Sequence, residues 1–449
     1  MLLAVLSTVA AVLLVLSYCS AAVYSATSFF FLLPFYAVSI QFDLWFPKWN
    51  PFLTFPRNRA EILQQPQRFF RLLCEDGGGT LPAGSQLISL DTDGELSTEP
   101  GKNAQLALLV LVYRARDSEQ PTRLRLFVKF LSQRGTSLFT RALMSTYTAM
   151  HNEVGFYRYQ LAAAAGVPAP RGVAAFYSRA FYRVLTVMEN VSGGDYHRVT
   201  DWEGANDQQM TTLVTRIAPL HVRFWEARAC TGASSFLVKR SGLGWIDGTV
   251  RLYKKQLQHP SRSLALWDAL CRYFADVPVC VSHVDLRPGN MLFNGSGDGI
   301  IYADWEAVNA VPYLWDFMYG TVIGQGISCR RRRHSAHLLA YRTALLQAGL
   351  PGKELPTVAE NEMHFTLLVV VLQFYGWLLN QVQGVGEPQG NTRSDCVAWM
   401  ERINAAAHDR LAGENLAHAA AALRVDEQTL RDCLSTPVTT ESEAWVTST

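Results

Sequence analysis

The chain has 449 residues, of which 49% are hydrophobic and 17% are charged, so it is long enough to bury two or three separate cores. Its formal net charge is only +2, and its basic residues form no long stripe, which argues against nucleic-acid binding. The eight cysteines include no CxxC pair, so the sequence indicates neither a zinc site nor a secreted disulfide framework.

The amino-terminal part of the chain is strongly apolar. Its first charged side chain is Asp43, and the stretch before it is longer than the roughly 20 apolar residues that cross a bilayer. We therefore predict that residues 1–42 are a membrane anchor, either one span near residues 2–23 or a hairpin that also uses residues 28–40. A cleaved signal peptide is the alternative, but the basic leader of such peptides is missing here.

Basic residues favour one orientation of this anchor. Lys48, Arg57 and Arg59 follow the apolar stretch, whereas nothing basic except the amino terminus precedes it. This bias predicts that the remainder of the chain faces the cytosol. In a lumenal location, the glycosylation sequons that begin at Asn190 and Asn294 would be open to modification.

A strand-rich segment follows the apolar stretch. Residues 43–80 are rich in Pro, Phe and Trp, and we expect a juxtamembrane linker with one short helix. Residues 81–190 then contain aliphatic and β-branched runs that predict strands, namely SQLISL, AQLALLVLVY, RLRLFVKFL, RGVAAFY and YRVLTVME. A helix that ends at Gly166 is predicted to interrupt them, over residues 137–166.

Helical patterns dominate the rest of the chain. Residues 191–435 are predicted to form a larger, mostly helical unit, broken by short strands around NMLFN and GIIYADW. Its run TLLVVVLQFYGWLL is too short to span a bilayer comfortably and indicates a buried core helix. Residues 436–449 are polar and rich in Ser and Thr, which predicts a disordered tail.

The stretch VSHVDLRPGNMLFN, residues 281–294, collects polar groups between apolar runs. Phosphoryl transfer needs a base near the acceptor hydroxyl, oxygen ligands for Mg²⁺ and a cation on the phosphates. Asp285 can accept the hydroxyl proton, and Asn290 can offer a neutral oxygen to the metal. Asp304, which follows the strand-like run GIIYA, can be the main Mg²⁺ ligand.

The smaller unit offers the cation. Lys129 lies inside the apolar run LFVKFL, where a lysine is costly to bury unless another group pairs with it. The helix that follows provides Glu153, and a Lys–Glu pair between strand and helix aims a lysine at ATP phosphates. Alone, Lys129 would more often be a strand lysine that extends its amino group to water.

Taken together and in this order, these segments resemble the aminoglycoside phosphotransferase and choline kinase-like family of protein-kinase-fold enzymes, especially its ecdysteroid kinase-like branch. HVDLRPGNMLF and IIYADWE are similar to the family's catalytic loop and metal-binding segment. LFVKF, NEVGFYRYQLAAAAGVPAP and IAPLHVRFW are similar to its lysine strand, its glutamate helix and the first helix of its large lobe. The resemblance covers roughly residues 80–400. It implies a bilobal α+β fold, with a small antiparallel β lobe containing one helix and a larger helical lobe.

The resemblance also implies a role for each of these residues. Asp285 would be the catalytic base, Asn290 and Asp304 would hold Mg²⁺, and Lys129 with Glu153 would position the phosphates of ATP.

Further roles concern adenine and the phosphates. The segment VMENV resembles the hinge between lobes, so the backbone at Met188, Glu189 and Val191 would hydrogen-bond adenine. The best candidate for the turn that covers the phosphates is STEPGKNAQ, with Gly101 at the position of close approach.

Two more residues would support the catalytic loop. His283 resembles the loop's supporting histidine, and Asp316 resembles the buried aspartate that ties the loop down. The sequence departs from the family at Val284, where glycine is usual, and the valine is expected to stiffen the loop or to crowd a substrate.

The resulting hypothesis is a membrane-anchored kinase that phosphorylates a hydroxyl of a small molecule, and the anchor suggests a lipophilic acceptor. One alternative is a catalytically inactive pseudokinase that acts as a nucleotide-binding scaffold at a membrane. Another is a choline or ethanolamine kinase, which would need an aromatic cage for its cationic substrate. Trp305, Tyr313 and Trp315 are the candidate cage residues.

Overall fold

Antiparallel pairing joins five strands into one sheet in the computed structural model. The strands are β1 (Gln86–Thr92), β2 (Ala104–Arg114), β3 (Thr122–Leu131), β4 (Gly172–Ser178) and β5 (Arg183–Glu189). Their order in the sheet is β1-β2-β3-β5-β4. Each strand coincides closely with one of the apolar runs, which confirms the strands predicted for this part of the chain.

Contacts within the chain separate it into two units. The first comprises residues 1–160 and 170–191, and the second comprises residues 161–169 and 192–449. The structure describes residues 32–45, 50–76, 81–94, 104–131, 151–192, 195–201, 203–227, 230, 237, 242–252, 254–257, 259–383 and 393–434.

The segment before the sheet belongs to the first unit. It contains the helices α1 (Leu33–Leu44), α2 (Arg59–Gln64) and α3 (Pro66–Asp76). Apolar residues of this segment, from Leu53 to Leu73, share one buried cluster with residues of β2 to β5. The described part of residues 43–80 is therefore not the linker that its composition suggested, because its buried aromatic and aliphatic side chains pack against the sheet.

A buried ionic network fixes α1 to the sheet. Asp43 is completely buried, and its carboxylate accepts hydrogen bonds from Arg183 Nε and Asn50 Nδ2, both at 2.7 Å. Arg57 donates to the Asp43 carbonyl oxygen at 2.8 Å and also pairs with Glu61. Burial lowers the pKa of Arg183, although Asp43 acts in the opposite direction. The charges offset one another only while all partners are present.

The long helix predicted over residues 137–166 is interrupted. Residues 132–150 lie outside the described part of the chain, and the rest forms α4 (His151–Arg158) and α5 (Leu161–Ala165). Gln160, with φ of 51°, separates the two helices. The predicted end is confirmed, because Gly166 has φ of 69° and Val167 N–H donates to the Ala162 carbonyl oxygen at 2.9 Å.

The second unit is mostly helical, as predicted. After α5 its helices are α6 (Asp207–Arg216), α7 (Ala218–Arg223), α8 (Gly244–Leu252), α9 (Pro260–Ala275), α10 (Trp315–Ile323), α11 (Ile327–Gln347), α12 (Val358–Gln383), α13 (Arg393–Arg410), α14 (Glu414–Leu423) and α15 (Glu427–Leu434). The apolar run in α12 is a core helix, because residues 367–372 are almost completely buried.

Short strands in the second unit carry the polar loop. They are β6 (His197–Arg198), β7 (Val279–Ser282), β8 (Met291–Phe293), β9 (Ile300–Tyr302) and β10 (Asn309–Pro312). β7 pairs with β10, and β8 lies between β6 and β9. The stretch 281–294 therefore runs from the end of β7 into β8.

No helix within the described residues is long and apolar enough to cross a bilayer. Residues 1–31 of the predicted anchor, Gly101 and the predicted tail lie outside those residues. The hairpin alternative conflicts with α1, because this helix has only 12 residues and is joined to β5 by the Asp43–Arg183 pair. A single span near residues 2–23 stays a prediction.

Removal of the Asp43 carboxylate tests this network. We expect Asp43→Ala to lower the free energy of unfolding by about 3–5 kcal/mol, because it leaves the buried Arg183 guanidinium without its carboxylate. Urea unfolding of the purified full-length chain measures the change. The matched control is Asp93→Ala, which removes the partner of the half-exposed Arg125 and should cost less than about 1 kcal/mol. Equal losses in the two variants would contradict the network.

Candidate active site

A buried carboxylate shapes the loop that follows β7. Asp316, in the first turn of α10, is completely inaccessible to solvent. It accepts the backbone N–H groups of His283 and Val284, each at 2.8 Å, and His221 Nε2 donates to it at 3.0 Å. A buried carboxylate needs such donors to offset its desolvation. The loop backbone is therefore held by α10, as the resemblance implied for Asp316.

Val284 occupies a conformation that favours glycine. Its φ is 73°, in the left-handed region, which is rare for a β-branched residue. The side chain is buried, and the Val284 carbonyl oxygen accepts Trp315 Nε1–H at 2.8 Å. Since Asp316 also binds its amide, hydrogen bonds on both sides hold the residue in this strained conformation.

The Asp285 carboxylate receives three hydrogen bonds. Oδ2 accepts Asn290 Nδ2 at 2.7 Å and Arg287 Nε at 3.2 Å. Oδ1 accepts the Tyr319 hydroxyl at 2.9 Å. The side chain is about one quarter exposed, so a substrate can reach it while the buried neighbours fix its orientation.

Asn290 is oriented as a metal ligand would be. Its Nδ2 donates to the carbonyl oxygen and to the carboxylate of Asp285, and both partners accept hydrogen bonds only. The amide oxygen is therefore the atom left for another partner. Ala303 N–H donates to the Asn290 carbonyl oxygen at 2.9 Å, which brings Asp304 next to Asn290 in the fold.

These residues fit Mg²⁺, which is usually held by one or two carboxylates together with phosphate oxygens and water. Asp304 has φ of 60° and is partly exposed at the end of β9. Among the described residues, no group of three or more His, Cys, Asp or Glu side chains is arranged to hold a metal. A site made by Asp304 and Asn290 would not belong to such a group, because it has one carboxylate and its other protein ligand is an amide oxygen.

His283 supports the loop and is not placed for proton transfer. Its Nε2 donates to the Ala303 carbonyl oxygen at 2.8 Å, and its ring centroid lies 4.5 Å from that of Trp305. The residue is completely buried. Its contacts therefore join the loop before Asp285 to the segment before Asp304.

Arg287 joins the loop to a second carboxylate. Its Nη1 donates to Asp201, which also accepts Gly289 N–H at 2.8 Å. The guanidinium carbon lies 5.2 Å from the ring centroid of Trp399 in α13. Burial raises the pKa of Asp201, while Arg287 and the Gly289 amide act in the opposite direction. Asp201 thus fixes both ends of the Arg287–Gly289 turn.

In the first unit, Lys129 and Glu153 meet as predicted. Lys129 Nζ lies 3.1 Å from Glu153 Oε1, where β3 faces α4. Glu153 is almost completely buried, whereas 12% of the Lys129 side chain is exposed. A partly exposed ammonium held by a buried carboxylate can be directed at an anion.

The predicted hinge leaves the sheet at the end of β5. Met188 is buried, the Glu189 carboxylate pairs with Arg171, and the Glu189 N–H donates to the Arg171 carbonyl oxygen at 2.9 Å. Val191 is the last residue of the first unit, and its N–H has no hydrogen-bond partner within the described residues.

The candidate cage residues do not form a cage. Trp305, Tyr313 and Trp315 are each completely buried, and their rings contact other partners. Trp305 Nε1 donates to the Tyr302 carbonyl oxygen, and the Tyr313 hydroxyl donates to Asn361. No open face remains on these rings for a quaternary ammonium.

Sequence reasoning missed Tyr319 and Asp201, which contact the loop directly. A signal existed for Tyr319, because it follows Asp316 by three residues and so lies on the same face of α10. Asp201 is 86 residues from Arg287 in sequence, and no local pattern marks it.

His221 was predicted to be a packed, hydrogen-bonded helix residue, and its bonds to Asp316 and Tyr341 confirm this.

Comparison with known proteins gives one family. The sequence profile described as "Phosphotransferase enzyme family" matches residues 110–344, more than half of the chain. That span includes Lys129, Glu153, Asp285, Asn290 and Asp304. No curated protein sequence matches the chain significantly.

Solved structures of several small-molecule kinases are similar to this chain. A choline/ethanolamine kinase family protein from Mesorhizobium loti has 15% identity, covers 80% of this chain and 99% of its own, and has a TM-score of 0.42. Choline kinase LicA from Streptococcus pneumoniae has 12% identity, coverages of 72% and 94%, and a TM-score of 0.41. An ethanolamine kinase from Plasmodium vivax has 11% identity, coverages of 82% and 94%, and a TM-score of 0.43. Similarity at this level does not identify a substrate.

Substitutions at Val284 test the strained loop. Alanine keeps a penalty of about 1 kcal/mol in the left-handed region, whereas glycine has none. We therefore expect Val284→Gly to be more stable than Val284→Ala by about 1 kcal/mol in urea unfolding. The control pair is Val281→Gly and Val281→Ala in β7, where the order should reverse. An alanine variant at 284 as stable as the glycine variant would contradict the left-handed conformation.

Proposed function

The chain belongs to the phosphotransferase enzyme family, and from this premise we propose that its substrates are ATP and a small molecule with a hydroxyl group. In the proposed step, the acceptor hydroxyl gives its proton to Asp285, and its oxygen forms a bond to the γ-phosphorus. The bond from that phosphorus to the β,γ-bridging oxygen breaks, and ADP leaves. The products are the phosphorylated acceptor and ADP.

One observation carries the proposal: Asn290 binds the Asp285 carboxylate at 2.7 Å, next to the segment that ends in Asp304. A base and two oxygen ligands for a divalent cation thus arise from one loop and one strand end. Asp304 and the amide oxygen of Asn290 would hold Mg²⁺, which neutralises charge on the phosphates when bound. A general base must be exposed enough to reach a hydroxyl, and the partial exposure of Asp285 agrees with this.

Residues of the first unit support nucleotide binding. Lys129, directed by its pair with Glu153, would neutralise phosphate charge. The Val191 amide, with no partner within the described residues, would donate to adenine. Gly101, the proposed close-approach residue over the phosphates, lies outside the described residues.

The alternatives are less well supported. A pseudokinase scaffold would not need the hydrogen bonds that orient Asp285, and this chain retains the base, both metal ligands and the Lys–Glu pair. For a choline or ethanolamine kinase, the three rings first considered for the cage are buried and have other partners. The chemical class of the acceptor therefore stays limited to a small molecule with a hydroxyl group.

We also propose that a single span near residues 2–23 attaches the enzyme to a membrane, with the rest of the chain in the cytosol. The absence of charged residues before Asp43 supports this proposal. So does a set of exposed apolar side chains close to the end of the proposed anchor: Val38 (66% exposed), Trp45 (69%) and Phe52 (60%). Tryptophan is enriched at membrane interfaces. A membrane location would suit a lipophilic acceptor.

Asp285→Asn tests the enzymatic proposal. ADP release from ATP with Mg²⁺ is measured over a panel of hydroxyl compounds that includes choline, ethanolamine and sterols. We expect the variant to lose about 10²–10⁴-fold in turnover on any acceptor that the unaltered chain phosphorylates, with nucleotide binding retained. The control Asp268→Asn changes a partly exposed aspartate of the same unit, which pairs with Arg251, and this variant should keep its activity. Unchanged transfer by Asp285→Asn would exclude it as the base.

Membrane attachment has its own test. Alkaline carbonate extraction should leave the full-length chain in the membrane pellet, and deletion of residues 2–23 should release it. Endoglycosidase treatment should not change the mobility of the chain, because the sequons at Asn190 and Asn294 would face the cytosol. A mobility shift that Asn190→Gln or Asn294→Gln abolishes would place these residues in a lumen and overturn the proposed orientation.

A further inference from the structure

We propose that Tyr319 is a positioning residue for the base. Its hydroxyl holds the Asp285 carboxylate so that one acceptor position on Oδ1 stays open for the substrate's hydroxyl proton. The inference rests on the proposed role of Asp285, and it assigns to Tyr319 a role beyond packing in α10.

The hydrogen bonds of the carboxylate distinguish its two oxygens. A carboxylate oxygen accepts about two hydrogen bonds. Oδ2 already accepts two, from Asn290 and Arg287. Oδ1 accepts only that of Tyr319, so it is the oxygen with a remaining position. The acceptor hydroxyl must therefore approach Oδ1.

Tyr319 is fixed in place from several sides. It is almost completely buried, and its ring stacks on that of Trp315 with centroids 6.1 Å apart. One residue further along α10, a Cβ on Gly320 would lie only 3.2 Å from the Leu286 carbonyl oxygen, so the helix lies close against the loop. The hydroxyl that contacts Asp285 thus belongs to a buried side chain that its neighbours hold in place.

The tyrosine remains a hydrogen-bond donor throughout the step. Burial, together with the Asp285 charge, raises the pKa of Tyr319 well above its ordinary value. The substrate proton moves to Oδ1, and Tyr319 neither gains nor loses one. Rotation of the carboxylate, which would exchange Oδ1 and Oδ2, would break the bonds from Tyr319, Asn290 and Arg287 together. Orientation of the base is the contribution that Tyr319 makes.

Tyr319→Phe removes the hydroxyl and keeps the ring. ADP release is measured with radiolabelled ATP and Mg²⁺ in the full-length chain, with water or an acceptor from the hydroxyl panel. We expect kcat to fall about 10-fold or more while KM for ATP changes less than about 2-fold, because a misoriented base affects the transfer step and not nucleotide binding. In the Asp285→Asn background, the same substitution should have no further effect, because Tyr319 acts through Asp285.

Two other tyrosines provide controls. The Tyr302 hydroxyl donates to the Leu213 carbonyl oxygen at 2.7 Å, so Tyr302→Phe should lower stability without the same loss in kcat. Tyr375 has its ring centroid 6.4 Å from that of Tyr319, and its hydroxyl makes no hydrogen bond within the described residues. The Asp285 charge acts on this hydroxyl without a hydrogen bond between them, so Tyr375→Phe should lower kcat less than Tyr319→Phe does.

The outcomes separate this inference from the proposed function. Full activity of Asp285→Asn would refute the base itself. A large loss in Asp285→Asn combined with normal kcat in Tyr319→Phe would refute only the inference. An equal loss from Tyr319→Phe in the presence and absence of the Asp285 carboxylate would also overturn it, since the tyrosine would then act on stability or on another group.

Discussion

The Asp316 carboxylate is the interaction on which the candidate active site depends. It is completely buried, and two loop amides and His221 offset its loss of hydration. Removing one partner of such a group costs several kcal/mol, because the charge stays buried without compensation. The loop backbone at His283 and Val284 is therefore fixed before any substrate binds, and Asp285 follows directly from it.

Helix α10 acts as a template for this loop. Trp315 donates to the Val284 carbonyl oxygen, Asp316 binds the loop amides, and Tyr319 binds the Asp285 side chain. One turn of helix thus binds a carbonyl oxygen, the backbone amides and a carboxylate of the same loop. The left-handed conformation of Val284 persists because these contacts over-determine it. A base held in this way, the role proposed for Asp285, does not have to be oriented during the reaction, which is a general source of catalytic efficiency.

Much of the fold could be predicted from the sequence, because the patterns that predict it lie within short segments. Strands β1 to β5 follow aliphatic runs, and the Asp285–Asn290 contact joins residues of one short loop. The contacts that escaped prediction join distant residues. Asp43 and Arg183 are 140 positions apart, and Arg287 and Asp201 are 86 apart. Pairs at such separations leave no local pattern in the sequence.

Residues 43–80 illustrate the same limit. Proline and aromatic residues without clear periodicity are typical of a linker, yet Phe55 and Phe69 are buried against the sheet. The composition shows that these side chains are apolar, but it does not indicate which part of the protein they pack against. By contrast, Tyr319 could have been found, because its spacing from Asp316 places both on one helical face.

The order of the two units along the chain limits how the protein can be divided. The second unit includes residues 161–169, which precede β4 and β5 of the first. An expression fragment that begins at Ser192 would lose the Pro168 carbonyl oxygen that accepts Tyr302 N–H at 2.9 Å, close to Asp304. A fragment that begins at Leu161 would retain two strands without the rest of their sheet. No single break in the chain separates the two units without removing part of one of them, so the two are best produced as one polypeptide.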